Sequence, residues 1–163
     1  MSERGKAMTA EVLLACYAAG ERDFRGVNLV GADLAGADLT LVTLANANLK
    51  RANLEGTNLE GASLAFANLT GAILETANLM DANLVGTTLK GATLKGASLA
   101  GASLQDANLK GMGLAGVRFA AAKPSIVRLG GKVRGRSVIR PDDAVRARVG
   151  GGHDRPVMAR DGD

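Results

Sequence analysis

The sequence predicts an all-β solenoid, and three observations carry that prediction. An apolar residue returns at every fifth position without a slip from Phe24 to Phe119, which makes twenty consecutive five-residue units. Two positions earlier stands a small apolar residue, most often Ala, and two positions later stands Gly in 12 of the 20 units. The chain is 47% hydrophobic but only 2% aromatic, with 22 Gly and no Trp, so its interior is expected to consist of Leu and Ala layers rather than a globular core.

The period excludes the regular alternatives. Five residues of α-helix turn the chain by about 500°, so successive leucines would drift by roughly 140° and form no face. In a flat strand side chains alternate, and an odd period would send successive leucines to opposite sides. What remains is a short extended stretch with positions i−2 and i inward and i−1 outward, then a corner at i+1 and i+2 that aims the next unit inward again. The expected core at position i is Phe24, Leu29, Leu34, Leu39, Leu44, Leu49, Leu54, Leu59, Leu64, Leu69, Leu74, Leu79, Leu84, Leu89, Leu94, Leu99, Leu104, Leu109, Leu114 and Phe119. Position i−1 is mostly Asn, Asp, Ser or Thr, groups that bond nearby backbone and stack on their copies in adjacent coils. Glycine at i+2 adopts positive φ at little cost.

Units such as Ala32-Asp33-Leu34-Ala35-Gly36 and Ala52-Asn53-Leu54-Glu55-Gly56 resemble the bacterial pentapeptide-repeat family. The resemblance covers residues 22–121 and implies a right-handed, four-sided β-helix with four units per coil, hence five coils and a prism about 24 Å long at about 4.8 Å per coil.

Three segments follow: 1–21, the repeat at 22–121, and a basic extension at 122–163. Residues 1–8 are polar and expected to be loose. Thr9 to Ala19 reads as a short helix, with Thr9 as N-cap, Glu11 in the first turn and Gly20 as the stop. Val12, Leu13, Cys16 and Tyr17 fall at helical spacing and predict an apolar face that covers the first coil. The lead-in from Tyr17 to Phe24 also resembles the start of many bacterial pentapeptide-repeat proteins. Leu13-Leu14-Ala15-Cys16 resembles a lipobox, which would anchor the chain through a lipidated Cys16. The short apolar run interrupted by Glu11 argues instead for a buried cysteine and a cytoplasmic protein. No stretch approaches the roughly 18 apolar residues of a membrane span, and the lone cysteine permits no internal disulfide.

After Phe119 the repeat fails: Pro124 stands where a leucine is due, and Leu129 keeps the count. Ile126 to Arg134 predicts a hairpin around Gly130-Gly131, Pro141 to Val149 a helical turn or two, and the glycine-rich end disorder.

The chain's formal net charge is +4. Within 22–121 eight Lys/Arg balance eight Asp/Glu, so the excess lies in the extension, with ten Lys/Arg against five Asp/Glu. If a coil takes twenty residues, Lys50, Lys90 and Lys110 share an outer face, with Lys90 and Lys110 on adjacent coils, and Glu55 and Glu75 stack on the next. These lysines, with Arg128, Lys132, Arg134 and Arg136 of the extension, are the candidate surface-binding residues; a charge row on a solenoid is more often a solvated face. Leu41 and Phe66 replace a corner glycine with apolar groups, Ile73 occupies a polar i−1 position and Gly113 weakens a late unit. Scattered apolar residues on a surface are ordinary.

Nothing in the sequence carries catalysis, a cofactor or a metal. The single histidine, His153, stands in the glycine-rich end, far from Cys16 and without a second ligand at metal spacing. Gly131-Lys132-Val133-Arg134-Gly135 lacks the phosphate-loop pattern. The expected function is a non-enzymatic scaffold or protein-interaction module. Two alternatives are weighed with it. Some members of the family are acidic dimeric rods that mimic DNA and bind a type II topoisomerase; replacing a duplex over about 24 Å asks for on the order of ten or more uncompensated negatives, which the balanced repeat does not offer. The other is nucleic-acid or polyanion tethering, through the basic extension alone, since the repeat has no aromatic stacking platform. A protein partner and a homodimer formed through the C-terminal end complete the expectations.

Overall fold

In the computed structural model, which describes residues 8–110, 112, 116–119, 127–129 and 147–149, each unit is closed by a tight turn. The amide after the corner donates to the carbonyl of the unit's own leucine, as in Ala52 to Leu49 at 3.0 Å and Ala72 to Leu69 at 3.0 Å. The i+2 residue of that turn takes positive φ whether or not it is glycine: 62° at Gly56 and 63° at Gly61, but also 58° at Leu41, Arg51 and Phe66. This is the type II pattern, whose third residue must be left-handed. The corner geometry is therefore constant, and glycine is the easiest of several residues that meet it. The polar i−1 side chain reinforces the turn by accepting from the i+1 amide, as Asn78 does from Met80 at 3.2 Å and Asn53 from Glu55 at 3.2 Å.

Four such units bring the chain back beneath its start. Parallel bridges pair each i−1 residue with the one twenty positions later, from Asp23 with Thr43 to Ser98 with Arg118. Each coil bonds the next three times per side: Leu49 N–H donates to the Asn68 carbonyl at 2.8 Å, Asn68 N–H to that of Ala47 at 2.9 Å and Arg51 N–H to that of Thr70 at 3.0 Å. The result is a four-sided prism. We number its faces by their inward leucines: the first holds Leu44 and Leu64, the second Leu49 and Leu69, the third Leu54 and Leu74, the fourth Leu59 and Leu79.

The interior is a column of leucines. Every described position-i residue is buried, from Phe24 at 3% exposed to Phe119 at 5%; Leu114 lies outside the described residues. The i−2 alanines from Ala47 to Ala107 are buried beside them. Thr57 and Thr87 replace two of these alanines and donate their hydroxyls to the Leu34 and Leu64 carbonyls, both at 2.8 Å. No buried side-chain polar atom among the described residues lacks a partner. On the outside, Asn78 Nδ2 donates to Asn58 Oδ1 at 3.0 Å and Asn53 Nδ2 to Asp33 Oδ1 at 3.0 Å, so parts of the third and fourth faces carry a side-chain ladder. Asp38 joins it: the hydroxyl and amide of Thr40 donate to its carboxylate and hold its pKa below the ordinary aspartate value.

Helix α1 spans Ala10–Ala18 and lies against the first coil. Thr9 caps it by accepting from Val12 N–H at 3.3 Å. Its end is a Schellman motif, with Gly20 at φ 100° and the Gly20 and Glu21 amides bonded to Tyr17 and Cys16 carbonyls. The expected apolar face is corrected in one member. Leu13 is fully buried, and Ala10, Leu14, Cys16 and Tyr17 pack on the core, whereas Val12 is 50% exposed. Leu13 is the centre of the contact, and its i−3, i+1 and i+4 neighbours share its side, which leaves Val12 on the flank. Tyr17 OH donates to the Thr40 carbonyl at 2.9 Å, and Met8 N–H to the Asn28 carbonyl at 3.1 Å. Arg22, the one charged residue at an i−2 position, lies with its guanidinium 3.7 Å from the Tyr17 ring centroid instead of entering the core.

The extension departs from expectation. Strand β1, Val127–Leu129, pairs in parallel with strand β2, Ala147–Val149, in the register Val127 with Ala147 and Leu129 with Val149. The arm predicted to return at Lys132 to Arg134 lies outside the described residues, as do Pro141 to Arg146, but Ala147–Val149 is strand and not helix. The offset between the strands is the twenty-residue coil period. Each has an apolar–Arg–apolar triplet on the five-residue count, an alternation that suits a strand.

Candidate binding face

The four faces differ in the chemistry they present at i−1, i+1 and i+2. The second face shows Lys50, Arg51, Lys90 and Lys110 and, among the described residues, no carboxylate. All four are exposed, and among the described residues their side chains make no hydrogen bond or ion pair. Lys90 and Lys110 stand on adjacent coils, a backbone step of about 4.8 Å, and Lys50 two coils from Lys90 with Thr70 between. The third face carries Asp33, Glu55, Glu75 and Lys95, and the fourth Asp38, Glu60 and Asp81 with Arg118. On the first face the charged residues near the start are Asp23 and Arg25, which neutralise one another in an exposed salt bridge at 2.5 Å.

Charge that is balanced in sequence is thus sorted in space, because residues twenty apart share a column. The rigid scaffold under the second face is the Leu49–Leu69–Leu89–Leu109 column, and the Asn28, Asn48, Asn68 and Asn108 side chains of that face accept from i+1 amides, which fixes the corner from which the lysines project. Arg51 was not singled out in the sequence. The signal for it was its place at the corner beside Lys50. Of the basic candidates in the extension, Arg128 is in β1, and Lys132, Arg134 and Arg136 lie outside the described residues. No group of three or more His, Cys, Asp or Glu able to hold a metal ion occurs among the described residues, and no helix among them is long and apolar enough to cross a membrane.

The pentapeptide-repeat family profile matches residues 23–56, 37–75 and 77–112, in 8 copies. The chain belongs to the pentapeptide-repeat family. Its fold is therefore the right-handed quadrilateral β-helix of that family, and the twenty-residue bridges are its coils. Among solved structures, the pentapeptide repeat protein HetL of the cyanobacterium Nostoc sp. strain PCC 7120, involved in heterocyst differentiation regulation, is 32% identical with a TM-score of 0.71. The match covers 76% of this chain and 53% of HetL, so the chain spans about half of HetL's length. A second pentapeptide repeat protein from Nostoc PCC 7120 is 33% identical over 73% of this chain and 99% of its own, with a TM-score of 0.41. QnrB1, a plasmid-mediated fluoroquinolone resistance protein, is 18% identical over 65% of this chain and 62% of its own, with a TM-score of 0.31. No curated protein matches the chain.

Proposed function

We propose that this pentapeptide-repeat chain is a non-enzymatic, cytoplasmic docking scaffold: a rod of five coils, residues 22–121, closed at its N-terminal end by α1, that binds an acidic protein surface through its second face. The observation that carries this reading is the unpaired cation row Lys50, Arg51, Lys90 and Lys110 on a face without carboxylates. A row of like charges held at fixed spacing on a rigid wall costs some self-repulsion, which a complementary partner removes. Lipidation at Cys16 is set aside because that residue packs within α1 against the core, and maturation there would remove the buried Leu13.

DNA mimicry is disfavoured by the same charge distribution. The acidic residues of the third and fourth faces are few and share those faces with Lys95 and Arg118. The basic extension supports a second reading, a tether to nucleic acid or another polyanion, because residues 122–163 carry a net charge of +5. The two readings separate on removal of the extension. A chain ending at Ala121 should keep most of its binding to polyglutamate if the second face is the docking surface and lose it if the extension is the tether, followed by elution in a salt gradient. If polyglutamate binding disappears, the second face is not the docking surface.

A further inference from the structure

Through its middle three coils the first face carries less charge than the other three; beyond them lie the Asp23–Arg25 pair at one end and Asp106 at the other. Across three successive coils its segments are 41–46, 61–66 and 81–86, and the sole charged residue in them is Asp81, whose carboxylate leans onto Gly101 in the next coil. The face is bordered on both sides by bulky apolar groups at corner positions. Leu41 is 66% exposed and Phe66 64% exposed, and both are held at φ 58°. Between them the outward residues are Thr43, Ser63, Asn83, Ala45, Ala65 and Val85. Leucine and phenylalanine are poor occupants of a left-handed corner, which asparagine, aspartate or glycine fills at lower cost. Each lies over the corner glycine of the next coil: a Cβ on Gly61 would come within 2.6 Å of Leu41 Cδ2, and one on Gly86 within 2.5 Å of Phe66 Cδ1. That contact shields one side of each group and leaves about two thirds of it in water.

We propose that the first face is a self-association surface, on which a second copy of this chain docks face to face in a two-fold arrangement. Charge decides the occupant. A two-fold interface sets a patch against itself, so a face of one net sign meets the same sign. The second face would oppose four cations to four cations, and the third and fourth faces would oppose net negative surfaces. In the patch between Leu41 and Phe66 the first face carries only Asp81, at the corner it shares with the fourth face, so its penalty is the smallest, and docking covers Leu41 and Phe66 of both copies. Three coils span only about 14 Å at about 4.8 Å each, below the scale of a standard interface of about 1,200–2,000 Å². The dimer is therefore reversible and concentration-dependent, and it leaves both second faces open to a partner.

Sedimentation velocity on the full-length chain across a concentration series tests this. The expected result is a monomer–dimer equilibrium that weakens at least tenfold in Phe66→Lys and in Leu41→Lys, with thermal midpoints near that of the parent, since Arg51 shows that a long cation is accommodated at the same corner position. Ile73→Lys, which alters an exposed apolar residue on the opposite face, should leave association unchanged. In a Cys16→Ser chain, a short bismaleimide should join two copies through Ser63→Cys and not through Thr93→Cys. A chain that stays monomeric at the highest concentration overturns the proposal. So does a dimer that survives both lysine substitutions, or one lost on removal of residues 122–163, which would place the contact at the C-terminal end.

Discussion

Leu74→Asp is expected to abolish the cooperative unfolding transition near physiological temperature, whereas Glu75→Lys, one residue away, is expected to shift it little. Leu74 is fully buried in the third face, stacked between the Leu54 and Leu94 layers. Truncation to Ala at such a site costs about 2–5 kcal/mol through lost burial and the cavity left behind. A carboxylate adds the penalty of a buried polar group with no partner, in total comparable with the 5–15 kcal/mol by which a domain of this size is stable. The damage should spread along the rod, because each coil is stabilised by its two neighbours. Glu75 occupies the outward i+1 position, where a change of charge alters only a partly exposed corner. Thermal unfolding followed by circular dichroism distinguishes the two; equal shifts would mean that the inward and outward positions are misassigned.

Removing residues 1–22, so that the chain starts at Asp23, is expected to make the protein aggregate. Among the described residues no coil lies beneath the first, and α1 stands in that place: Leu13 packs into the leucine column, Tyr17 OH donates to the Thr40 carbonyl, and Met8 N–H to the Asn28 carbonyl. Without these contacts, Phe24 and Leu29 and a row of unpaired backbone groups face water, which is a template for edge-to-edge association. Light scattering during dilution from denaturant reads the outcome. A truncated chain that stays monomeric with an unchanged thermal midpoint would show that α1 does not protect the end.

Much of this was legible because a solenoid repeats one local problem. The five-residue count fixed which side chains go inward, and the structure buries every described position-i residue, while at i−2 Arg22 stays outside and Val27, Ala32, Ala37 and Met112 are only half-buried. The number of sides was not contained in the period, since any closed polygon of units would satisfy it; the resemblance of units such as Ala52-Asn53-Leu54-Glu55-Gly56 supplied it. Columns could be read once a coil was twenty residues, which is why Lys50, Lys90 and Lys110 could be placed together. Leu41 and Phe66 lie twenty-five residues apart, one coil plus one side, and so border the same face from opposite corners; as single departures from glycine they gave no hint of this. Val12 was misassigned because a nine-residue helix gives too few turns for its buried side to be chosen without knowing what it meets. In the extension, Val127-Arg128-Leu129-Gly130-Gly131 and Ala147-Arg148-Val149-Gly150-Gly151 repeat at the coil period. The non-conforming units between them hid that relation and favoured a local hairpin and a helical turn instead.

The account turns on one face of the prism, and two lysines five residues apart test it. Lys90 stands on the cation row of the second face; Lys95 stands on the third, in the column of Glu55 and Glu75. Lys90→Glu and Lys95→Glu change the net charge identically and leave the extension intact, so any effect of overall charge is the same in both. Elution of the two full-length variants from immobilised polyglutamate in a salt gradient is the direct measurement. The account predicts that Lys90→Glu elutes at clearly lower salt than the parent and Lys95→Glu close to it. Coincident elution of the two variants, or a greater loss with Lys95→Glu, would contradict it.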